Sequence, residues 1–160
     1  INVSKSMRAV LRKGTYTITL DTAFEGVIQG CAHRPGEGTW ITDDFIQAYI
    51  KLHKLGFAHS VEAWNDSGEL VGGLYGVSLG SMFFGESMFA RSPNASKAAF
   101  IALSRHLAAQ EFDLIDCQIM NPHLASMGAQ HITRPSFLEA LELAMIPPTK
   151  RGIWALDPPV

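Results

Sequence analysis

The amino-acid sequence predicts an α+β domain built on one mixed β-sheet, and three observations carry that expectation. Residues 58–89 hold three apolar, β-rich runs joined by turn residues, the pattern of an antiparallel meander. A helical pattern over 94–110 and a further apolar run over 112–120 follow it, so a crossover helix leads to a strand that can lie parallel to the last strand of the meander. The 160 residues, 47% hydrophobic and 18% charged, suit a single folded domain over residues 1–160 with a sizeable core.

Taken in order, Thr15-Tyr16-Thr17-Ile18-Thr19-Leu20 alternates and reads as a first strand, after which Asp21 offers an N-cap for a short helix to about Cys31. Pro35-Gly36-Glu37-Gly38 reads as a loop. Thr42 is placed to cap a helix with Phe45, Ile46, Tyr49, Leu52 and Leu55 at helical spacing, ended by Gly56. Strands over Ala58–Trp64, Leu70–Leu79 and Met82–Phe89 turn at Asn65-Asp66-Ser67-Gly68 and at Gly80-Ser81. Asn94 is expected to cap the crossover helix, with Ala98, Ile101, Ala102 and Leu107 on its inner face. The Phe112–Met120 strand is followed by a loop with a helical turn over 122–128 and a short strand over Gln130–Thr133. Ser136 then caps a helix through about Ala144, and an extended tail carries Pro147, Pro148, Pro158 and Pro159.

Composition narrows the class. No run of about 18 apolar residues occurs, which speaks against a membrane-spanning helix. The first residues lack the apolar centre of a signal peptide, and with Cys31 and Cys117 as the whole cysteine complement a reducing cytoplasm is the plain expectation. A net charge of −2 gives no general attraction to polyanions, so a nucleic acid would need a local basic patch. The chain opens on Ile1 without an initiator Met, as a segment of something longer would.

Candidate chemistry sits in two apolar runs. Asp116 and Gln118 interrupt Phe112–Met120, and Glu86 is the one charge in Ser81–Phe89. Strand alternation places Asp116 and Gln118 on one face and Ile115, Cys117 and Ile119 on the other. A carboxylate taken from water without a partner costs several kcal/mol or gives up its charge, so each of these acids needs a partner or a ligand. If the two strands run parallel as neighbours, Glu86, Asp116 and Gln118 reach one cleft.

Several segments resemble a known family. Gly38-Thr39-Trp40-Ile41-Thr42, Leu52–Glu62, Leu70–Val77, Gly85-Glu86-Ser87-Met88-Phe89, Asn94-Ala95-Ser96-Lys97 and Leu114-Ile115-Asp116-Cys117-Gln118 together resemble leucyl/phenylalanyl-tRNA–protein transferases, a branch of the GNAT-like acyltransferase fold. The resemblance implies an aminoacyltransferase that moves Leu or Phe from aminoacyl-tRNA to the N-terminal Arg or Lys of an acceptor, marking it for N-degron proteolysis. It also implies a small N-terminal domain that has no counterpart before Ile1.

By the same resemblance Gln118 meets the incoming α-amine, Asp116 orients Gln118 and supports charge, and Glu86 serves the acceptor end. Leu74, Phe83, Phe100, Leu103, Leu107 and Ile115 are expected to line the donor side-chain pocket, and Trp40 to stack on the terminal adenine. Lys5, Arg8, Arg12 and Lys13, with Arg91 and Lys97, are candidate phosphate contacts for the tRNA acceptor stem, although such a run is usually a solvated face. Acetyl-CoA users of the fold carry an Arg/Gln-x-x-Gly-x-Gly/Ala turn, because backbone N–H groups there approach a pyrophosphate. Here Arg91-Ser92-Pro93-Asn94-Ala95-Ser96 lacks both glycines, so no CoA is expected; His53 and His59 give no metal-ligand spacing, so no metal is expected either. Two alternatives stand beside this reading: an acyl-CoA N-acyltransferase of the same fold, and a non-catalytic module that binds basic N-termini.

Overall fold

A computed structural model describes residues 1–33 and 39–156. The expected loop at Pro35–Gly38 and the expected extended course of Pro158 and Pro159 lie outside the described residues. The elements run α1 (Lys5–Lys13), β1 (Thr17–Leu20), α2 (Phe24–Ala32), α3 (Asp43–Lys54), β2 (Ala58–Trp64), β3 (Leu70–Leu79), β4 (Met82–Ala90), α4 (Ala95–Ala109), β5 (Leu114–Asp116), α5 (Pro122–Ser126) and α6 (Arg134–Ala144). One five-stranded sheet forms in the order β1-β2-β3-β4-β5, antiparallel through β4 and parallel between β4 and β5. The meander and the crossover expected from the turns and the apolar periods are therefore present.

Apolar residues on the two faces of the sheet build two cores. Ile18, Leu20, Val61, Leu74 and Phe83 pack with α1 and α4 on one face, whereas Ala58, Tyr75 and Phe89 pack with α2 and α3 on the other. All four inner residues anticipated for α4, Ala98, Ile101, Ala102 and Leu107, are buried. In α3 the buried pair is Ile46 and Ile50, while Phe45 and Leu55 of the anticipated stripe are exposed.

Helix ends depart most from expectation, and for α2 the reason is a partner distant in sequence. Asp21 does not cap α2; at φ 53° its carboxylate accepts hydrogen bonds from His59 Nδ1 (2.8 Å), Ser60 N (2.9 Å) and Trp154 N (2.7 Å). The entry to α2 is held instead by Glu62 of β2, which accepts from Thr22 N at 3.4 Å and Ala23 N at 3.3 Å. Thr42 and Asn94 stand at N-cap positions without a side-chain cap bond, Asn94 at φ 67°. Gln130–Thr133 forms no strand; Thr133 takes over the cap expected of Ser136 and accepts from its N–H at 3.3 Å. Helix α1 was not signalled: Ser4 caps it, Gly14 at φ 63° ends it, and Met7, Val10 and Leu11 face the core.

The strand expected over Phe112–Met120 is confined to Leu114–Asp116. It stops because the Asp116 carboxylate accepts the Gln118 backbone N–H at 2.8 Å and Gln118 turns to φ 61°, a local side-chain bond that competes with the ladder. Face alternation therefore ends at Asp116.

Candidate functional site

The site begins with an irregularity in β4. Gly76 pairs with Gly85 and Tyr75 with Ser87, which leaves Glu86 as the extra residue of a β-bulge. Gly76 permits the kink, since a Cβ there would stand 2.2 Å from the Phe84 carbonyl oxygen. Bulges re-aim side chains, and this one brings Glu86 near the Tyr49 hydroxyl of α3. Tyr49 is pushed up to about 12, by burial first and then by the Glu86 charge and hydrogen bond. Behind it Tyr75 is fully buried and is also raised, chiefly by burial.

On the β5 side, register pairs Phe84 with Asp116. Just past that pair, Gln118 Nε2 donates to the Gly85 carbonyl at 2.9 Å. Asp116 and Gln118 thus flank Gly85 from one side, and Glu86 follows it in the chain. Asp116 and Glu86 are half-buried and Gln118 is exposed.

Asp116 and Gln118 line a cleft of about 870 Å³, within the range of roughly 300–1,000 Å³ usual for small-ligand sites. Its apolar lining includes Phe100, Leu107 and Ile115 from the sequence expectation, together with Leu124, Met127 and Phe137, which sequence reasoning missed. Leu74, Phe83 and Leu103 lie in the core and do not line it. Glu86 does not line it either; it stands beyond Gly85, beside Tyr49. Cys117 is half-buried, and burial followed by the Asp116 charge raises its thiol.

The predicted cations fall in separate places. Lys5, Arg8 and Arg12 recur at helical spacing on the exposed face of α1, with Lys13 beside them. Lys97 is half-buried and near His123, whose imidazole is lowered by burial first and by Lys97 second. Arg91 is elsewhere, with Nη1 3.4 Å from the Leu70 carbonyl oxygen and its guanidinium over Phe89 at 5.4 Å. Trp40 is 48% exposed and meets Phe45 edge-on at 5.4 Å, and Phe45 stacks on Tyr49 at 6.5 Å. An aromatic file thus leads from Trp40 to the Tyr49–Glu86 pair. Nothing in the sequence marks Tyr49 except a polar tip in an apolar helical stripe. Among the described residues no group of three or more His, Cys, Asp or Glu could hold a metal ion, and no helix is long and apolar enough to cross a membrane.

An apolar cleft that opens on a carboxylate and an amide at a strand end, on a mixed α+β sheet, has the form usual for small-ligand sites. The family model described as leucyl/phenylalanyl-tRNA protein transferase matches residues 1–142. Curated proteins named leucyl/phenylalanyl-tRNA–protein transferase are similar along nearly the whole chain. The one from Desulfatibacillum aliphaticivorans is 53% identical over 159 residues, covering 98% of this chain and 68% of its own length. The Myxococcus xanthus protein is 52% identical over 165 residues, covering 99% and 70%. That of Syntrophus aciditrophicus is 53% identical over 161 residues, covering 99% and 67%. The chain belongs to the leucyl/phenylalanyl-tRNA protein transferase family, a family of aminoacyltransferases.

Proposed function

We propose that this chain moves Leu or Phe from aminoacyl-tRNA to the N-terminal Arg or Lys of an acceptor protein, marking it for N-degron proteolysis in the cytoplasm. The observation that carries the reading is the Asp116–Gln118 turn opening directly onto an apolar cleft. In that reading the donor side chain lies against Phe100, Leu107 and Ile115, and its ester carbonyl reaches the turn.

The chemistry is aminolysis. The acceptor amine attacks the ester carbonyl, a C–N bond forms, the C–O bond to the ribose breaks, and the departing oxygen ends protonated. The ester is already activated, so side-by-side placement supplies much of the rate. Gln118 is anchored through Nε2 to Gly85 and presents its amide oxygen to the amine N–H. An amide is too weak a base to keep that proton, which passes to Asp116, water or the departing ribose oxygen. Asp116 fixes Gln118 through its backbone N–H rather than through its side-chain amide. Glu86 gives the acceptor's guanidinium or ammonium a charge-assisted partner, and Trp40 stacks on the terminal adenine.

The antiparallel strands, the α4 crossover and the parallel β5 support a GNAT-like arrangement. The turn before α4 supports tRNA over CoA as acyl carrier. Arg91 N and Ser92 N both donate to the Val71 carbonyl, at 2.7 and 3.2 Å, and Ala95 N donates to Ser92 O at 3.2 Å. These amides are committed internally instead of being presented to a pyrophosphate. No metal enters the proposed reaction.

The test supplies an Arg-starting peptide with Leu-tRNA or labelled acetyl-CoA, for the parent and for Asp116→Ala, Gln118→Ala and Glu86→Ala. Transfer from Leu-tRNA alone is expected, with turnover lowered mainly by Asp116→Ala and acceptor KM raised mainly by Glu86→Ala. Acetyl transfer, or peptide binding without turnover, overturns the proposal.

A further inference from the structure

We propose that Arg105 and Arg134 form a phosphate-binding pair at the rim of the cleft, which holds the single-stranded 3′ end of the tRNA donor. The inference rests on the function proposed above and adds a contact for the phosphodiesters that follow the terminal nucleoside.

Both arginines line the cleft, Arg105 from α4 and Arg134 from the first turn of α6, and both are exposed. Neither has a hydrogen bond, ion pair or ring contact among the described residues. Elsewhere, Lys150 Nζ donates to Gln110 O at 2.5 Å, and Arg151 donates to Leu55 O and lies over Phe57 at 4.5 Å, whereas these two guanidinium groups face the cleft with their donors uncommitted. Helix stability does not explain Arg134, because a cation in a first turn opposes the helix dipole and α6 has no acid there to offset it.

Position along α4 fits the donor. Arg105 lies between Phe100 and Leu107, within about 8 Å along the helix axis of either at 1.5 Å per residue. With an aminoacyl group against Phe100 and Leu107, the phosphates attached behind its ribose leave past the rim. Of the acids lining the cleft, Asp116 is half-buried on β5 and the Asp113 carboxylate already accepts the Ser81 hydroxyl. The two exposed guanidinium groups suit a phosphate by shape as well as charge.

The experiment measures kcat/KM for Leu-tRNA, and for phosphate-free 3′-leucyl-adenosine, across a salt series. Parent, Arg105→Gln, Arg134→Gln and the double variant are compared, each with a melting curve as a fold control. For the tRNA donor the slope of log(kcat/KM) against log salt is expected to flatten by about 0.7 per arginine, the value for a single-strand phosphate contact. The preference for tRNA over leucyl-adenosine is expected to fall several-fold in each single variant and further in the double. Slopes parallel to the parent's, or equal losses with both donors, overturn the phosphate pair while leaving the proposed function standing. A parent that transfers from neither donor overturns both.

Discussion

Replacing Gln118 by Glu separates a positioning role from a proton-abstracting one. Gln118 is fixed at two points, its backbone N–H 2.8 Å from Asp116 Oδ1 and its Nε2 2.9 Å from the Gly85 oxygen. Glu has nearly the same shape but, ionised, can only accept, so it would face the Gly85 carbonyl without a donor. The lost hydrogen bond costs about 0.5–1.5 kcal/mol net, and carboxylate–carbonyl repulsion in this solvent-reachable place adds about as much again. A total of about 1–3 kcal/mol corresponds to roughly a 5- to 150-fold loss of kcat/KM when it falls on the transition state. The backbone bond to Asp116 survives, so the turn itself persists.

The assay is single-turnover transfer from Leu-tRNA to an Arg peptide across pH, read as the ratio of Gln118→Glu to parent. That ratio is expected to lie between about 0.2 and about 0.007 at neutral pH, at one factor of ten per 1.36 kcal/mol. It should climb as pH falls toward the ordinary Glu value of about 4.3, because the protonated acid regains a donor for Gly85. Were residue 118 the base, a carboxylate would outperform an amide at neutral pH. A ratio at or above one, flat across pH, refutes the positioning argument.

Three other perturbations follow from the same geometry. Ile115→Val removes one methylene from the cleft lining, worth about 1–3 kcal/mol of discrimination; in competition assays Phe-tRNA should gain on Leu-tRNA by several-fold, and an unchanged ratio removes Ile115 from the donor pocket. Glu62 is fully buried and accepts from Thr19 Oγ1, Ser60 Oγ, Thr22 N and Ala23 N. Glu62→Ala strands those donors at a cost of about 3–5 kcal/mol by analogy with a broken buried pair, so Tm should drop by roughly 6–20 °C; a drop within measurement error would contradict the network. For Tyr49, tyrosinate absorbance of the parent minus Tyr49→Phe should titrate at about 12, against an ordinary 10.0. Glu86→Gln should lower that value without restoring 10.0, because burial is the largest cause. Since the folded value lies above the unfolded one, this stabilisation is complete below about pH 10 and is lost as pH rises through about 12. Urea unfolding over that window should show a smaller alkaline loss in Tyr49→Phe.

What was legible in the sequence was local. Asn65–Gly68 and Gly80–Ser81 punctuate the meander, and strand periods between them place β2, β3 and β4 within a residue. The helix caps at Asp21 and Ser136 were misread because a cap is decided by which acceptor reaches the N–H groups, and for α2 that is Glu62, some 40 residues away. Helix α1 was hidden because its cations dominate a short run in which Met7, Val10 and Leu11 form the inner stripe. In the cleft, Phe100, Leu107 and Ile115 are reachable by position; α5 and α6 are legible as helices, but local signals do not say that Leu124, Met127 and Phe137 fold back over β5 to line it.

The polar cluster shows the limit of sequence reasoning most clearly, since two residues were identified for a reason that does not hold. Alternation along an unbroken strand was expected to bring Asp116 and Gln118 together, yet the strand ends at Asp116 and a turn does so instead. The turn and the β4 bulge belong to one arrangement. Once β5 leaves the ladder, the Gly85 carbonyl needs a donor that the departing backbone does not supply, and a polar group of this kind is seldom left unpaired. Gln118 supplies it with Nε2. The bulge turns the next residue, Glu86, toward Tyr49 and away from the cleft. A regular β4–β5 pair would have filled the gap between these side chains with ladder hydrogen bonds. The opening at Gly85 is what places an amide and a carboxylate on the cleft side and a second carboxylate beyond the strand, the arrangement on which the proposed reaction relies.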